Sequence, residues 1–175
     1  MKSSKLLLMS CCAPCSAAAV KRLKKDGADF CVLFYNPNIF PRAEYDRRLD
    51  EQIKLCDKLG VRWATSRYDH AAWLRAVRGH EKDPERGARC EKCFAMRLRY
   101  GADWARANGC GRIASVFGVS PHKDAAQVRR AARAALGPDS DIEYIDADFG
   151  YAPEPGGYRQ KYCGCEFSET YNGGN

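Results

Sequence analysis

No stretch of this sequence stays apolar long enough to cross a bilayer. Runs such as residues 6–9 stop after a single turn's length, whereas a spanning helix needs about 20 apolar residues. Nor does the chain begin with a cationic segment followed by an apolar stretch of about 7–15 residues, the pattern of a secretory signal. The expectation is a cytoplasmic protein with no membrane partner. Internal repeats and low-complexity linkers are also missing, so neither a solenoid nor a tethered pair of modules is indicated. Acidic residues are the scarcer charge: 22 Asp and Glu stand against 29 Lys and Arg, giving a net charge of +7. That excess favours a polyanionic partner such as RNA, although many proteins reach it without one. With 175 residues, 45% of them apolar, the chain suits one compact α/β domain over residues 1–175.

Cysteine, by contrast, is abundant: there are ten. In a short secreted chain this would read as a disulfide scaffold, but without a secretory signal reduced thiols are the better assumption. In a reducing compartment, close cysteine clusters serve more often as metal ligands or redox catalysts than as bridges.

Short apolar runs at 5–9, 29–35, 61–68, 112–117 and 142–145 read as strands. Between them, 14–26, 41–59, 70–77, 90–108 and 124–136 read as helices, with Pro14 opening the first and Gly27 and Gly60 stopping the first two. On 41–59 the apolar residues Tyr45, Leu49, Ile53 and Cys56 mark one face. Alternation of strand and helix predicts a mostly parallel sheet with helices on both faces. From about residue 150 the chain turns rich in Gly, Pro and Tyr, and an irregular tail ordered by a metal is expected. Ligands of open parallel sheets sit at the carboxyl ends of strands. Three unusual segments, 11–15, 36–38 and 120–124, follow predicted strands.

Cys11, Cys12 and Cys15 run into a helix start, where backbone N–H groups and the helix dipole favour thiolates. Cys90 and Cys93 have the two-residue gap that lets two thiolates reach one metal or one cluster. Cys163 and Cys165 are separated only by Gly164, which leaves the backbone free to bend around a metal. Cys31 and Cys56 fall on apolar faces and read as core, and Cys110, between two glycines, reads as structural. Seven candidate thiolates exceed the four that one zinc or one cubane cluster requires. A lone dithiol or a plain zinc knot would leave the surplus unexplained, but spacing alone does not separate zinc from iron.

Other segments keep two readings. The amides of Asn36 and Asn38, after Tyr35, suit a loop cap or the edge of a heterocyclic base. Ser120 and Asp124 suit a helix cap, while His122 and Lys123 suit an anion or a proton donation. Tyr158, Arg159, Gln160, Lys161 and Tyr162 mix cations with aromatics, as phosphate contact and base stacking require. Arg129, Arg130 and Arg133 form either a solvated helix face or a phosphate contact.

Leu7-Leu8-Met9-Ser10-Cys11-Cys12-Ala13-Pro14-Cys15, Phe34-Tyr35-Asn36-Pro37-Asn38-Ile39 with Pro41 and Glu44-Tyr45, Arg89-Cys90-Glu91-Lys92-Cys93-Phe94 with Arg97-Leu98, Ser120-Pro121-His122-Lys123, and Tyr158 through Cys165 occur in this order. Together they look like QueH-type epoxyqueuosine reductases over about residues 6–168. The resemblance implies a fold similar to the nucleotide α-hydrolase type and a cobalamin-independent oxidoreductase. Such enzymes remove the epoxide oxygen of epoxyqueuosine in the tRNA anticodon loop to give queuosine. It implies a 4Fe–4S cluster held by Cys11, Cys12, Cys90 and Cys93, and a second, mononuclear iron held by Cys163, Cys165 and Cys15, a position that can be Asp in relatives. Catalytic roles fall to His122, Lys123 and Tyr162, and substrate contacts to Tyr35, Asn36, Asn38, Arg159 and Gln160. The partners implied are tRNA carrying epoxyqueuosine and an electron donor such as a ferredoxin or flavodoxin. Ser10 departs from the pattern, since relatives commonly have His there. The competing classes are a zinc-stabilised RNA-binding module and a thiol redox sensor.

Overall fold

A computed structural model gives the fold, describing residues 4–120, 123–171 and 173. β1 (Leu6–Ser10) and β2 (Phe30–Phe34) are buried at every position. Strands without polar alternation need cover on both faces, the situation of a parallel sheet. β3 (Trp63–Thr65), β4 (Arg112–Ser115) and β5 (Glu143–Tyr144) complete it in the order β3-β2-β1-β4-β5, with every pairing parallel. α1 (Ala13–Lys25) and α2 (Arg42–Leu59) carry the chain outward from β1 and pack on each other. The chain then returns past β1 through α3 (His70–Ala76) and α4 (Ala88–Ala107) to β4, and through α5 (Ala125–Leu136) to β5. Because such crossovers are right-handed, the reversal of direction puts the two helix pairs on opposite faces. It also makes the gap between β1 and β4 the switch point, where the carboxyl ends of the strands open a crevice. Cys11 leaves β1 at that crevice.

The two edge strands are shorter than the sequence indicates. Each has one neighbour, so only residues opposite β2 or β4 find ladder partners. Tyr68, expected in β3, instead donates its hydroxyl to the Ile39 carbonyl at 2.7 Å. The buried stripe of α2 is also rotated from the expected one. Leu49 and Ile53 are only half-buried, while Tyr45, Arg48, Gln52, Leu55 and Cys56 point inward. Arg48 and Gln52 are inside because they hydrogen-bond segments remote in sequence. Gln52 accepts from the hydroxyls of Ser10 and Ser16, at 2.6 and 3.0 Å, and so ties down the turn that carries the first cysteines.

After Phe149 the described chain has no helix or strand, as expected. Protein contacts hold it: Arg48 donates to the carbonyls of Tyr162 and Cys163, both at 3.0 Å, and pairs with Glu44 at 2.7 Å. Glu154 bridges Lys21 of α1 and Lys58 of α2. The tail is therefore anchored by protein contacts, where the sequence reading expected a metal to order it. Among the described residues no helix is long and apolar enough to cross a membrane.

Candidate metal centre and its cavity

Cys12 caps α1 and Pro14 fixes its first turn, so the chain leaving β1 folds back on itself within five residues. The sulfurs of Cys11, Cys12 and Cys15 lie within 4.8 Å of one another, all buried, with Cys11 and Cys12 at 3.7 Å. In such a trio one thiol ionises first and the others solvate it. Hydrogen bonds from Cys12 and then Cys15 hold Cys11 well below the usual thiol range against the cost of burial, and the charges of Lys123 and Arg97 help. The Cys11 thiolate in turn pushes Cys12 up to about 12 and Cys15 further up.

Helix α4 presents Cys90 and Cys93, spaced to share a face. The tail brings Cys163 and Cys165, and Cys165 packs with Cys93 against Trp73, with Cys163 beside them. Gly164 between them has φ +113°, and a Cβ there would stand 2.8 Å from Ile39 Cγ1, so only glycine makes this bend. A hydrogen bond from the Cys165 thiol outweighs burial and, with the Lys123 charge, brings Cys163 down to about 5, whereas Cys165 is raised. All ten cysteines are free thiols. Cys31, Cys56 and Cys110 are buried in the core and raised chiefly by burial, the inert state expected of them.

Cys11, Cys15, Cys90, Cys93, Cys163 and Cys165 line a single cavity of about 320 Å³. Cys12 backs it, accepting from the Gln160 side-chain amide at 2.8 Å. Among the described residues, the buried side-chain polar atoms without a partner are Asn38 Oδ1, Trp73 Nε1, Arg89 Nε, Arg97 Nε and Gln160 Oε1. Every one belongs to a residue of this wall. Native interiors leave few such groups unpaired, so the cavity is built for an occupant with polar features. A more open depression of about 500 Å³ at the amino ends of the strands has Trp63, Trp104 and one cysteine, Cys31, and assembles no ligand set.

The other predicted residues fall in different places. Asn38, Lys123, Arg159, Gln160 and Tyr162 line the cavity. Burial works against the Lys123 ammonium, but the Cys163 and Cys11 thiolates prevail and its pKa is raised. Tyr162 is raised chiefly by burial, and its hydroxyl donates to the Phe40 carbonyl. From 158 to 162 the tail alternates, with Gln160 turned in and Arg159 and Lys161 exposed. Tyr35 and Asn36 are not on the cavity wall. Tyr35 stacks on Tyr100 at 3.7 Å, and Asn36 spends its amide on the Ser10 carbonyl at 2.9 Å and on Arg97. His122 lies outside the described residues. On α5, Arg129 pairs with Asp146 at 3.6 Å and Arg130 with Glu91 at 3.9 Å. Ser10, the expected departure from the family pattern, is fully buried and bonded to Gln52.

Arg48 and Trp73 on the wall, and Gln52 behind the first cysteines, were not singled out in the sequence, where Arg89 and Arg97 stand only within the motif around Cys90 and Cys93. For Arg48 and Gln52 the available signal was a polar residue interrupting the apolar stripe of α2.

The depressed Cys163 pKa sets a sign for pH. The folded value is below the unfolded one of about 8.5, so ionised Cys163 contributes its full stability above that value. The contribution falls away as pH drops from there through about 5. Metal-free protein at neutral pH is expected to show ultraviolet thiolate absorbance, part of which is lost as pH falls through about 5 together with part of its thermal stability. Cys163→Ser should remove that part and leave the part due to Cys11, and an unchanged titration in that variant would refute the assignment.

Residues 6–171 match the family model described as Epoxyqueuosine reductase QueH. Curated relatives with that description include one from Histophilus somni (strain 129Pt), 37% identical over 179 residues, covering 94% of this chain and 72% of the relative. Another, from Haemophilus influenzae, is 36% identical over 177 residues, covering 94% and 71%. Among solved structures, the U34-tRNA thiolase NcsA from Methanococcus maripaludis, described with its 4Fe–4S cluster, superposes with a TM-score of 0.50. It is 14% identical and covers 68% of this chain and 40% of that one. At that identity the likeness concerns the fold alone, which is of the nucleotide α-hydrolase type.

Proposed function

Because the chain belongs to the Epoxyqueuosine reductase QueH family, we propose that its cavity is where the epoxide oxygen of epoxyqueuosine in tRNA is removed to give queuosine. The observation that carries this reading is the convergence of six candidate thiols, with a seventh behind them, on one cavity, five of whose wall residues each leave one buried polar atom without a partner. Soft thiolates in that number suit iron and sulfide better than a single zinc. In our reading Cys11, Cys12, Cys90 and Cys93 hold a 4Fe–4S cluster, and Cys15, Cys163 and Cys165 a second iron. Cys15 links the two sets, since its sulfur lies with those of Cys11 and Cys12 while it shares the cavity with Cys163 and Cys165.

Deoxygenation consumes two electrons and two protons and releases water. A bound cluster would supply electrons one at a time, and a second iron would supply Lewis acidity toward oxygen. The chain's own residues supply the rest. Lys123 keeps a proton at Nζ in the cavity, its ammonium favoured by the neighbouring thiolates. Tyr162, held protonated by burial, orients the wall through Phe40. Asn38 and Gln160 offer unpaired carbonyl oxygens to a donor on the substrate, and exposed Arg159 and Lys161 suit the phosphates of an anticodon loop. A ferredoxin or flavodoxin in the cytoplasm is the electron source we infer.

Anaerobic reconstitution should give a brown protein with about five irons per chain. It should convert epoxyqueuosine in tRNA to queuosine when given a low-potential reductant. A colourless protein that saturates with one zinc and leaves that tRNA unchanged would overturn the reading.

A further inference from the structure

Arg97 is 1% exposed, a depth at which charged side chains are almost always paired. Helix α4 carries Cys90, Cys93 and Arg97 at spacings of three and four, which sets the guanidinium on the same face as two candidate ligands. Its Nη2 donates to the amide oxygen of Asn36, a neutral acceptor. Its Cζ lies 3.7 Å from the centre of the Phe117 ring, and its Nε has no partner. Among the described residues, no carboxylate forms an ion pair with it. Two other arginines are equally buried but differently engaged. Arg48 pairs with Glu44 at 2.7 Å, and Arg89 donates to the carbonyls of Glu81 and Phe167 at 3.0 and 3.2 Å. The carboxylates on the cavity wall are engaged elsewhere, Glu85 with the Ser168 hydroxyl and Asp124 with the first turn of α5. Among the described residues, the negative charge that Arg97 favours is the Cys11 thiolate, on the wall of the same cavity.

We propose that Arg97 is the fixed counter-cation of the thiolate-bound metal centre, a positioning residue that favours metal retention and raises the reduction potential of the centre. The inference rests on reading the cavity as a metal centre. One-electron reduction adds one negative charge there and neither makes nor breaks a bond. A guanidinium cannot shed its proton to escape the interaction, and inside the protein the attraction is screened far less than in water. Removing the charge should therefore shift the reduction equilibrium at least tenfold, which is 59 mV for one electron.

Two substitutions separate charge from shape. Arg97→Gln keeps a donor for Asn36 and loses the charge. Arg97→Lys keeps the charge and loses the planar fork that lies over Phe117. The reconstituted proteins would be titrated anaerobically with a chemical reductant while cluster absorbance and iron content are followed, and the metal-free proteins melted to register any structural damage. The expected result is a midpoint lowered by at least 59 mV in Arg97→Gln, with Arg97→Lys within roughly threefold of the parent equilibrium. If the Gln chain folds but retains no iron while the Lys chain does, the proposal is equally supported. Should the Gln chain fail to fold, the Lys chain decides, with a parental potential in favour and a shifted one against. Variants that shift alike, or not at all, overturn the inference while the metal-centre reading stands. A parent protein that takes up no iron overturns both.

Discussion

Cys11→Ser is expected to strip the protein of most of its iron and to lower epoxyqueuosine reduction by more than about a hundredfold. Substitutions in the shell behind a metal ligand already cost about 10–100-fold in affinity or activity, so losing a ligand should exceed that. Cys11 is the focus of its trio: its sulfur stands 3.7 Å from that of Cys12, and hydrogen bonds from Cys12 and Cys15 hold its pKa well below the usual range. A serine hydroxyl there is neither soft nor ionised, and so fails as a ligand to iron. Cys31→Ser is the matched control. That thiol is buried in β2 and points to the Val32 carbonyl, so iron content and turnover should stay at parental levels. Iron and sulfide quantification with single-turnover assays on modified tRNA would decide. A Cys11→Ser protein with full iron and full turnover would remove this cysteine from the centre.

The second large effect is expected at Arg48. Its guanidinium is 2% exposed, pairs with Glu44, and holds the tail through the consecutive backbone carbonyls of Tyr162 and Cys163. Glu44 also accepts the Tyr158 hydroxyl at 2.8 Å, so one ion pair anchors the tail at three points. Arg48→Met leaves a carboxylate without its partner and two carbonyls without donors. Breaking a buried pair costs about 3–5 kcal/mol, which for a chain of this size corresponds to a melting point lower by roughly 6–20 °C. With the clamp gone, Cys163 and Cys165 lose their place opposite Cys93, and turnover should fall with them. Trypsin should then cut at Arg159 and Lys161 in the native state. If the tail depended on metal alone, metal-loaded Arg48→Met would resist trypsin as well as the parent does.

The cysteine pattern, the strand–helix alternation and the irregular tail were legible because each is a local property. Two-residue gaps, a proline at a helix start, and apolar runs closed by glycine need no knowledge of distant residues. For the same reason the boundaries of the interior elements came close, while the edge strands β3 and β5 came out too long. An apolar run does not reveal whether it has one neighbour or two. The helical pattern of α2 misled in a related way. Periodicity assigns a polar residue to solvent, yet Arg48 and Gln52 face inward to meet partners more than a hundred and some forty positions away.

The sequence by itself determined which side chains have the chemistry for the site: seven clustered thiols, the amides of Asn38 and Gln160, and the cations and phenols around residues 123 and 158–162. Only the tertiary structure decided where they lie relative to one another. It gathers Cys15 with Cys11 and Cys12, sets Cys93 against Cys165, and turns Asn38 onto the cavity wall while Asn36 becomes a strut for Arg97. The reason is that burying a charge or an amide is unfavourable until compensating groups arrive. At Arg97 those groups come from Asn36, just after β2, and Phe117, just after β4, and no short window of sequence contains them.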